Sequence, residues 1–231
     1  MSGLTSIAPT LDFEYGLWGK GHTRVAGVDE VGLGCLAGPL IAAAVLLPPN
    51  LVPIIGIRDS KKLSELQRNR LYGQIQQQAI AIGIGMASVA EIEEINVLQA
   101  SYRAMQRAIG RIQPLDHALI DGRKIKVDFG IPITTIIRGD TFSYSIACAS
   151  IVAKVRRDRF MTRLASRYPG YGWECNRGYG TAQHLSGLRS LGITPWHRKT
   201  YAPVRIVIEQ LDLFPQSVPI AIAPDCSNAQ A

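Results

Sequence analysis

The sequence predicts an α/β fold, a mixed β-sheet flanked by helices with a C-terminal helical extension. Three observations predict it. Two apolar runs, "RVAGVDE" and "GPLIAAAVLLPP", lie close together near the start, each with turn residues beyond it. From Ser64 onward, stretches of helical spacing alternate with short strand-like runs. Hydrophobic residues make up 47% of 231 residues, enough for one sizeable core. The expected organisation is an arm over 1–21, a main domain over 22–203, and a last helix and tail over 204–231.

Residues 1–21 lack periodicity and read as a loosely attached arm. "RVAGVDE" reads as a strand, and "GPLIAAAVLLPP" as a second, although its alanines also permit a helix. "LSELQRNRLYGQIQQQAI" has helical spacing, and Ser64 with Gln67 forms a capping-box pattern. "AIAIGIGMAS" alternates like a strand. Ser88 and Glu91 repeat the capping pattern before a short helix, followed by a longer amphipathic one in "VLQASYRAMQRAIGRI". "HALID" and "ITTIIRGD" read as short strands, each ending in an aspartate. A long helix follows from Tyr144 to Tyr168, its Ile146, Ile151, Val152, Val155 and Phe160 turned inward. "GYGWECNRGYGT" is a glycine and aromatic loop, Thr181 caps the next helix, and "YAPVRIVIEQLDLF" forms the last.

Composition narrows the function. The longest apolar stretch is shorter than the ~20 residues of a membrane span and is closed by prolines. No basic head with a small-residue cleavage site precedes it, so the expectation is a cytoplasmic protein without a membrane partner. Cys35, Cys148, Cys175 and Cys226 are scattered, with no C-x-x-C pair, and read as free thiols rather than zinc ligands. Formal net charge is +7, and Lys154 to Arg205 alone carries eleven Lys or Arg against two acids. Tyr168, Tyr171, Trp173, Tyr179, Trp196 and Tyr201 are interleaved with those charges. Such a segment is the footprint of a nucleic-acid partner, or equally a solvated helix face with packing aromatics.

Acids mark the strand ends: Asp29 with Glu30, then Asp121 in "LIDG" and Asp140 in "RGD". Singly, each has an ordinary explanation, and an aspartate before glycine is commonly a turn residue. Gathered at one sheet edge, four carboxylates repel one another unless cations sit among them. Hard divalent ions with oxygen ligands fit that demand. Two such ions ~3.5–4 Å apart support phosphodiester hydrolysis.

Seven segments, in order from about Val25 to Tyr201, resemble the ribonuclease HII family, the type 2 ribonucleases H. They are "GVDEVGLGCLAGP", "DSKKLS", "NVLQASYRAM", "LIDG", "GDTFSYSIACASIVAKVRRDRFM", "RGYGTAQH" and "PWHRKTY". The resemblance implies a ribonuclease H-like fold and metal-dependent cutting of the RNA strand of RNA/DNA hybrids. It also implies incision 5′ of single ribonucleotides in duplex DNA, with roles in replication and ribonucleotide excision repair. The family's catalytic, metal-binding acids fall on Asp29, Glu30, Asp121 and Asp140, with Mg²⁺ or Mn²⁺ as cofactor, two per site during catalysis. Its substrate contacts fall on Gly32, Leu33, Gly34 and Tyr179 at the ribose, and on Ser150 and Lys154 at phosphates. The 2′-hydroxyl is what separates RNA from DNA, so a close main-chain contact there is a sensible discriminator.

One departure stands out: the family usually has arginine between the two glycines, where this sequence has Leu33. Val31 and Cys148, where alanine is usual, read as packing changes. A non-catalytic or slow module that recognises ribonucleotide-containing duplexes is the alternative that Leu33 raises. A dinucleotide-binding reading of "GLGCLAG" fails on glycine spacing, on Pro39, and on the two carboxylates where pyrophosphate would arrive.

Near the C-terminus, Gln210, Leu211, Asp212, Leu213 and Phe214 resemble the short Q-L-(S/D)-L-F motif by which bacterial replication and repair proteins dock on the sliding clamp. The competing explanation is that Leu211 and Phe214, three apart on a helix, pack on the core. The partners expected are therefore RNA/DNA hybrid, ribonucleotide-containing DNA and a sliding clamp, for a monomeric enzyme.

Overall fold

A computed structural model describes residues 8–213 of the chain, with side chains through Gln210. These residues form two compact units. One comprises the chain up to Leu33 with Leu40–Ala87 and Ile95–Arg157; the other comprises Gly34–Pro39, Ser88–Glu94 and the chain from Asp158.

The first unit is built on five strands, β1 (Val25–Val31), β2 (Leu40–Leu46), β3 (Ala81–Ala87), β4 (His117–Asp121) and β5 (Ile133–Ile136), in the order β3-β2-β1-β4-β5. β2 pairs antiparallel with β1 and β3, while β4 runs parallel to β1 and β5 parallel to β4. The sheet is mixed, as predicted. The alanine-rich run is strand and not helix: all seven residues of β2 are buried, as an interior strand covered on both faces requires. Helix α2 (Glu65–Gln78) starts at the predicted capping box, with Ser64 and Gln67 bonded reciprocally. Its Leu71 and Ile75 share a core with Ala43 and Val45 of β2 and with Ile151, Val152 and Val155 of the long helix α5 (Tyr144–Arg167).

Helices lie close on the sheet because glycines admit them. A Cβ on Gly27 of β1 would overlap the Ser145 backbone, and Cβ atoms on Gly83 and Gly85 of β3 would overlap the carbonyls of Ala108 and Ala104. Those two alanines belong to α3 (Val89–Gly110), which is interrupted at Asn96, φ 66° and ψ 164°. The short and long helices of the sequence pattern are the two sides of that break. Asn96 Oδ1 accepts from the amides of Leu98 and Gln99, so it caps the second segment.

Two expectations change. Within the expected arm over 1–21, residues Asp12–Trp18 form helix α1, anchored by the buried Glu14. Glu14 Oε1 accepts from the Ser143 hydroxyl at 2.6 Å, the Ser145 hydroxyl at 2.6 Å and the Ser145 amide at 2.9 Å. Such an anchor comes from residues remote in sequence and leaves no local periodicity. Asp140 does not end a strand: β5 stops at Ile136, Arg138 turns the chain through the left-handed region, and Asp140 stands in the one-turn helix α4 (Gly139–Phe142).

The second unit holds the end of α5 with α6 (Trp173–Asn176), α7 (Ala182–Leu191) and α8 (Ala202–Leu213). Its core gathers Ala37, Met161, Leu164, Ala165, Tyr171 and Trp173. The segment 34–39 is held by main chain: the Leu36 and Ala37 amides donate to the Gly178 carbonyl, at 2.8 and 3.3 Å. Arg198, fully buried, donates from Nε and Nη2 to the Gly38 carbonyl.

The basic, aromatic stretch 154–205 is therefore partly architecture. Arg157 and Arg198 have no exposure, and Tyr171 and Trp173 are core residues. Arg156, Arg159, Arg163, Arg167, Arg189, Lys199 and Arg205 are exposed. Among the described residues, no helix is long and apolar enough to cross a membrane.

Candidate active site

β1 and β4 run parallel, with Val28 level with Ile120, so their carboxyl ends bring Asp29 and Asp121 to one edge of the sheet. Ligand sites of α/β sheets form at such ends. Glu30 follows Asp29 on β1, and its amide donates to Asp29 Oδ1 at 2.8 Å. Asp121 Oδ1 accepts from the Gly139 amide at 2.6 Å, which ties the end of β4 to the turn carrying Asp140. Asp29 and Asp140 are buried, Glu30 and Asp121 half-buried.

All four acids are harder to ionise than free carboxylates. Burial, then the charges of Glu30 and Asp121, hold Asp29 well above its ordinary range. Burial, then Asp121 and to a smaller degree Asp140, raise Glu30 to about 7. Asp121 and Asp140 are raised chiefly by burial, with Asp59 adding to both. The Lys61 ammonium acts in the opposite sense on Glu30, Asp121 and Asp140. The four acids thus form one electrostatic cluster.

A divalent cation suits this donor set. Glu30 Oε2 is buried without a hydrogen-bond partner, an unspent acceptor among repelling acids. Carboxylate oxygens are the ligands hard ions take. Among the described residues, no three His, Cys, Asp or Glu side chains already stand close enough to hold a metal ion.

Comparisons with known proteins give the family. A family model described as Ribonuclease HII matches residues 26–204. The chain belongs to the ribonuclease HII family. It is similar to Ribonuclease HII of Thermosynechococcus vestitus, 62% identical over 83% of this chain and 90% of that one. It is likewise similar to Ribonuclease HII of Ruegeria pomeroyi, 48% identical over 87% and 86% of the two chains. Among solved structures, the ribonuclease H2 of Pyrococcus horikoshii matches with a TM-score of 0.68 at 25% identity, covering 82% of this chain and 99% of that one. The ribonuclease HII of Archaeoglobus fulgidus, solved in complex with PCNA, matches with a TM-score of 0.59 at 25% identity, covering 71% and 85%. The family makes this chain a ribonuclease H, a hydrolase of the RNA strand in RNA/DNA hybrids.

The remaining expected site residues occupy distinct settings. Gly32 takes φ 106°, a turn that favours glycine. Leu33 is 39% exposed. A Cβ on Gly34 would meet nothing within 4 Å, so neither packing nor a positive φ accounts for glycine there. Ser150 is buried, with its hydroxyl 2.9 Å from that of Ser60, and it favours the ionised form of Asp29 against the larger effects that raise its pKa. Lys154, one turn further along α5, is half-buried. Tyr179 is 38% exposed. Gln210 is exposed near the end of α8, the side chains of Leu211, Asp212 and Leu213 are outside the described set, and Phe214 lies outside the described residues.

Sequence reasoning missed Asp59 and Lys61. Both lie in "DSKKLS", where Asp59 Oδ1 accepts from the Lys61 amide at 2.9 Å in a single 3₁₀ turn. The motif was visible, but a lone Asp followed by lysines reads as a cap, and only the fold brings it to the acids.

Proposed function

We propose that this chain is a two-metal-ion endonuclease that cuts 5′ of single ribonucleotides embedded in duplex DNA, as well as the RNA strand of hybrids, leaving 3′-hydroxyl and 5′-phosphate ends. The observation that carries the reading is the set of four carboxylates with raised pKa values at the carboxyl ends of β1 and β4 and in α4. Asp29, Glu30, Asp121 and Asp140 would hold the ions, Mg²⁺ or Mn²⁺. Bound there, the ions would supply activation of a water and stabilisation of charge on the departing 3′-oxygen. Ser150, which favours the ionised form of Asp29, is suited to position that carboxylate. That influence supports a positioning part for Ser150 more directly than the phosphate contact expected of it. Lys61, a cation beside three of the acids, is suited to steady a phosphate drawn to them. Lys154 remains our candidate for a second phosphate contact.

Ribose recognition is assigned to the main chain of Gly32, Leu33 and Gly34 and to the ring of Tyr179. The open space at Gly34, which no protein atom fills, supports close approach of a ligand to that backbone. A main-chain contact tolerates leucine at 33, and the four acids favour catalysis over a non-catalytic binding module. We assign the protein to a reducing cytoplasm, in line with the free thiols of Cys35, Cys148 and Cys175.

The segment Gln210 to Phe214 is our candidate for docking on a bacterial sliding clamp, which would raise the local concentration of the enzyme on new DNA. The PCNA complex of the Archaeoglobus fulgidus relative supports a clamp partner. A peptide covering Gln210 to Ala231 should bind the clamp; no binding at high micromolar peptide would refute the assignment.

The test of the catalytic reading is a DNA duplex with one ribonucleotide, incubated with Mg²⁺, with Mn²⁺ and with chelator. One cut 5′ of the ribonucleotide, in metal only, with a ligatable 3′-hydroxyl, is expected. Cutting in chelator, or none with either metal, would overturn it.

A further inference from the structure

We propose that His184 and His197 form a buried hydrogen-bonded pair whose fixed tautomers position Tyr179, so that both are positioning residues for the ribose contact. The proposal rests on the reading of Tyr179 as the ring that packs on the ribose. Neither histidine has any exposure.

The protons follow from the partners. The Thr194 amide can only donate, and it lies 2.9 Å from His197 Nδ1. That nitrogen is therefore the acceptor, and the proton of a neutral His197 is on Nε2. The Trp173 indole can likewise only donate, and Nε1 lies 3.0 Å from His184 Nε2. His184 thus carries its proton on Nδ1. The two Nε2 atoms are 3.1 Å apart, and the His197 N–H shares the one lone pair of His184 Nε2 with the Trp173 indole in a three-centre contact. His184 Nδ1 lies 2.9 Å from the Tyr179 carbonyl oxygen and donates to it. The chain of donors thus runs from Thr194 through His197 and His184, and ends on the main chain of Tyr179.

The backbone around Tyr179 is fixed by other contacts as well. Its amide donates to the Asn176 carbonyl at 2.9 Å, and its carbonyl also accepts from the Thr181 amide at 2.8 Å. Arg177 and Gly178 before it take φ 53° and 88°, and a Cβ on Gly178 would crowd the Ala37 carbonyl. A backbone pinned on both sides presents a ring that is still 38% exposed. Ordering that loop before substrate arrives removes an entropy cost from binding. Trp173 and Tyr171 stack at 5.0 Å, and the His197 ring lies within 5.2 Å of both, so the imidazoles are held by packing as well.

The test uses the full-length enzyme and a DNA duplex carrying one ribonucleotide. His184→Asn places an amide N–H near the lost Nδ1 and keeps the donation to Tyr179. His184→Gln reaches toward Trp173 and His197 but lacks that donor. Positioning predicts that KM rises about three- to tenfold in His184→Gln, the scale of one neutral hydrogen bond. His184→Asn should recover most of the loss, even if both variants melt at the same temperature. Combined with Tyr179→Ala, His184→Gln should add nothing further. Equal KM values for the wild type and His184→Gln, in an enzyme that Tyr179→Ala does impair, would overturn the positioning role. A harmless Tyr179→Ala would instead overturn the ribose reading on which it rests. Should His184→Gln fail to fold, nitrogen NMR of the ¹⁵N-histidine-labelled wild type decides. His184 protonated on Nδ1 and His197 on Nε2 is the expected result, and any other pair of tautomers sinks the proposal.

Discussion

Replacing Glu30 by glutamine should stabilise the metal-free protein at pH 8. Burial and the Asp121 and Asp140 charges raise the Glu30 carboxyl from 4.5 to about 7, and one of its oxygens is buried without a partner. A group whose folded pKa is raised costs nothing below its unfolded value. Its penalty grows as pH rises from about 4.5 and is complete above about 7. At ~1.4 kcal/mol per pH unit, the full shift corresponds to roughly 3 kcal/mol. The glutamine amide is itself incompletely paired there, which leaves a gain of about 2 kcal/mol. For a chain of this size that is a rise of roughly 4–8 °C in the unfolding midpoint. The assay is thermal unfolding of both proteins in chelator at pH 4, 6 and 8. At pH 4 the variant should have no advantage, falling up to about 1 kcal/mol below the wild type through its unpaired amide, and its advantage should be widest at pH 8. It should shrink or reverse in excess Mg²⁺ or Mn²⁺, because ligand binding favours the wild type. A glutamine variant less stable than the wild type at pH 8, or a gap independent of pH, would refute the claim that burial and the neighbouring acids make Glu30 hard to ionise.

Gly27→Ala should collapse the first unit, because the new Cβ overlaps the Ser145 backbone; a loss above about 3 kcal/mol is expected in urea unfolding. The buried neutral pair His184 and His197 has depressed pKa values, that of His197 lowered to about 3 by burial and by His184. Their contribution to stability is complete above about pH 6.5 and is lost as pH falls, by at most ~1.4 kcal/mol per pH unit for each. Urea midpoints of His197→Gln should accordingly fall less than those of the wild type between pH 7 and 5. Leu33→Arg should tighten duplex binding several-fold at low salt and steepen the salt dependence by about one counterion, as one new phosphate contact requires; equal salt slopes would place residue 33 away from the nucleic acid.

The sheet was legible because its signals are local. Alternation marked β3, and both capping patterns form as written, Ser64 with Gln67 and Ser88 with Glu91. The acids were legible because they fall at or near strand ends: Asp121 closes β4, and Asp29 and Glu30 lie just before β1 ends at Val31. Asp140 was expected at a strand end and stands in a one-turn helix, since a left-handed turn at Arg138 leaves no periodic trace. Helix α1 was missed because its anchor is one carboxylate that finds Ser143 and Ser145 only after folding. The aromatic-rich loop misled in part: spacing alone does not distinguish the buried Trp173 from the exposed Tyr179, and nothing in "AQH" or "PWH" says that the two histidines meet.

The central claim, that Asp29 anchors a metal-dependent hydrolysis, is tested most directly by comparing binding and single-turnover cleavage in Asp29→Asn. Asparagine keeps the shape and removes the charge that a cation needs. On a duplex with one ribonucleotide, the variant should bind within about threefold of the wild type, because other contacts hold the polyanion. Its cleavage rate in Mg²⁺ or Mn²⁺ should fall by at least about a thousandfold, as loss of a charge-stabilising group predicts. A rate within about tenfold of the wild type would contradict the account.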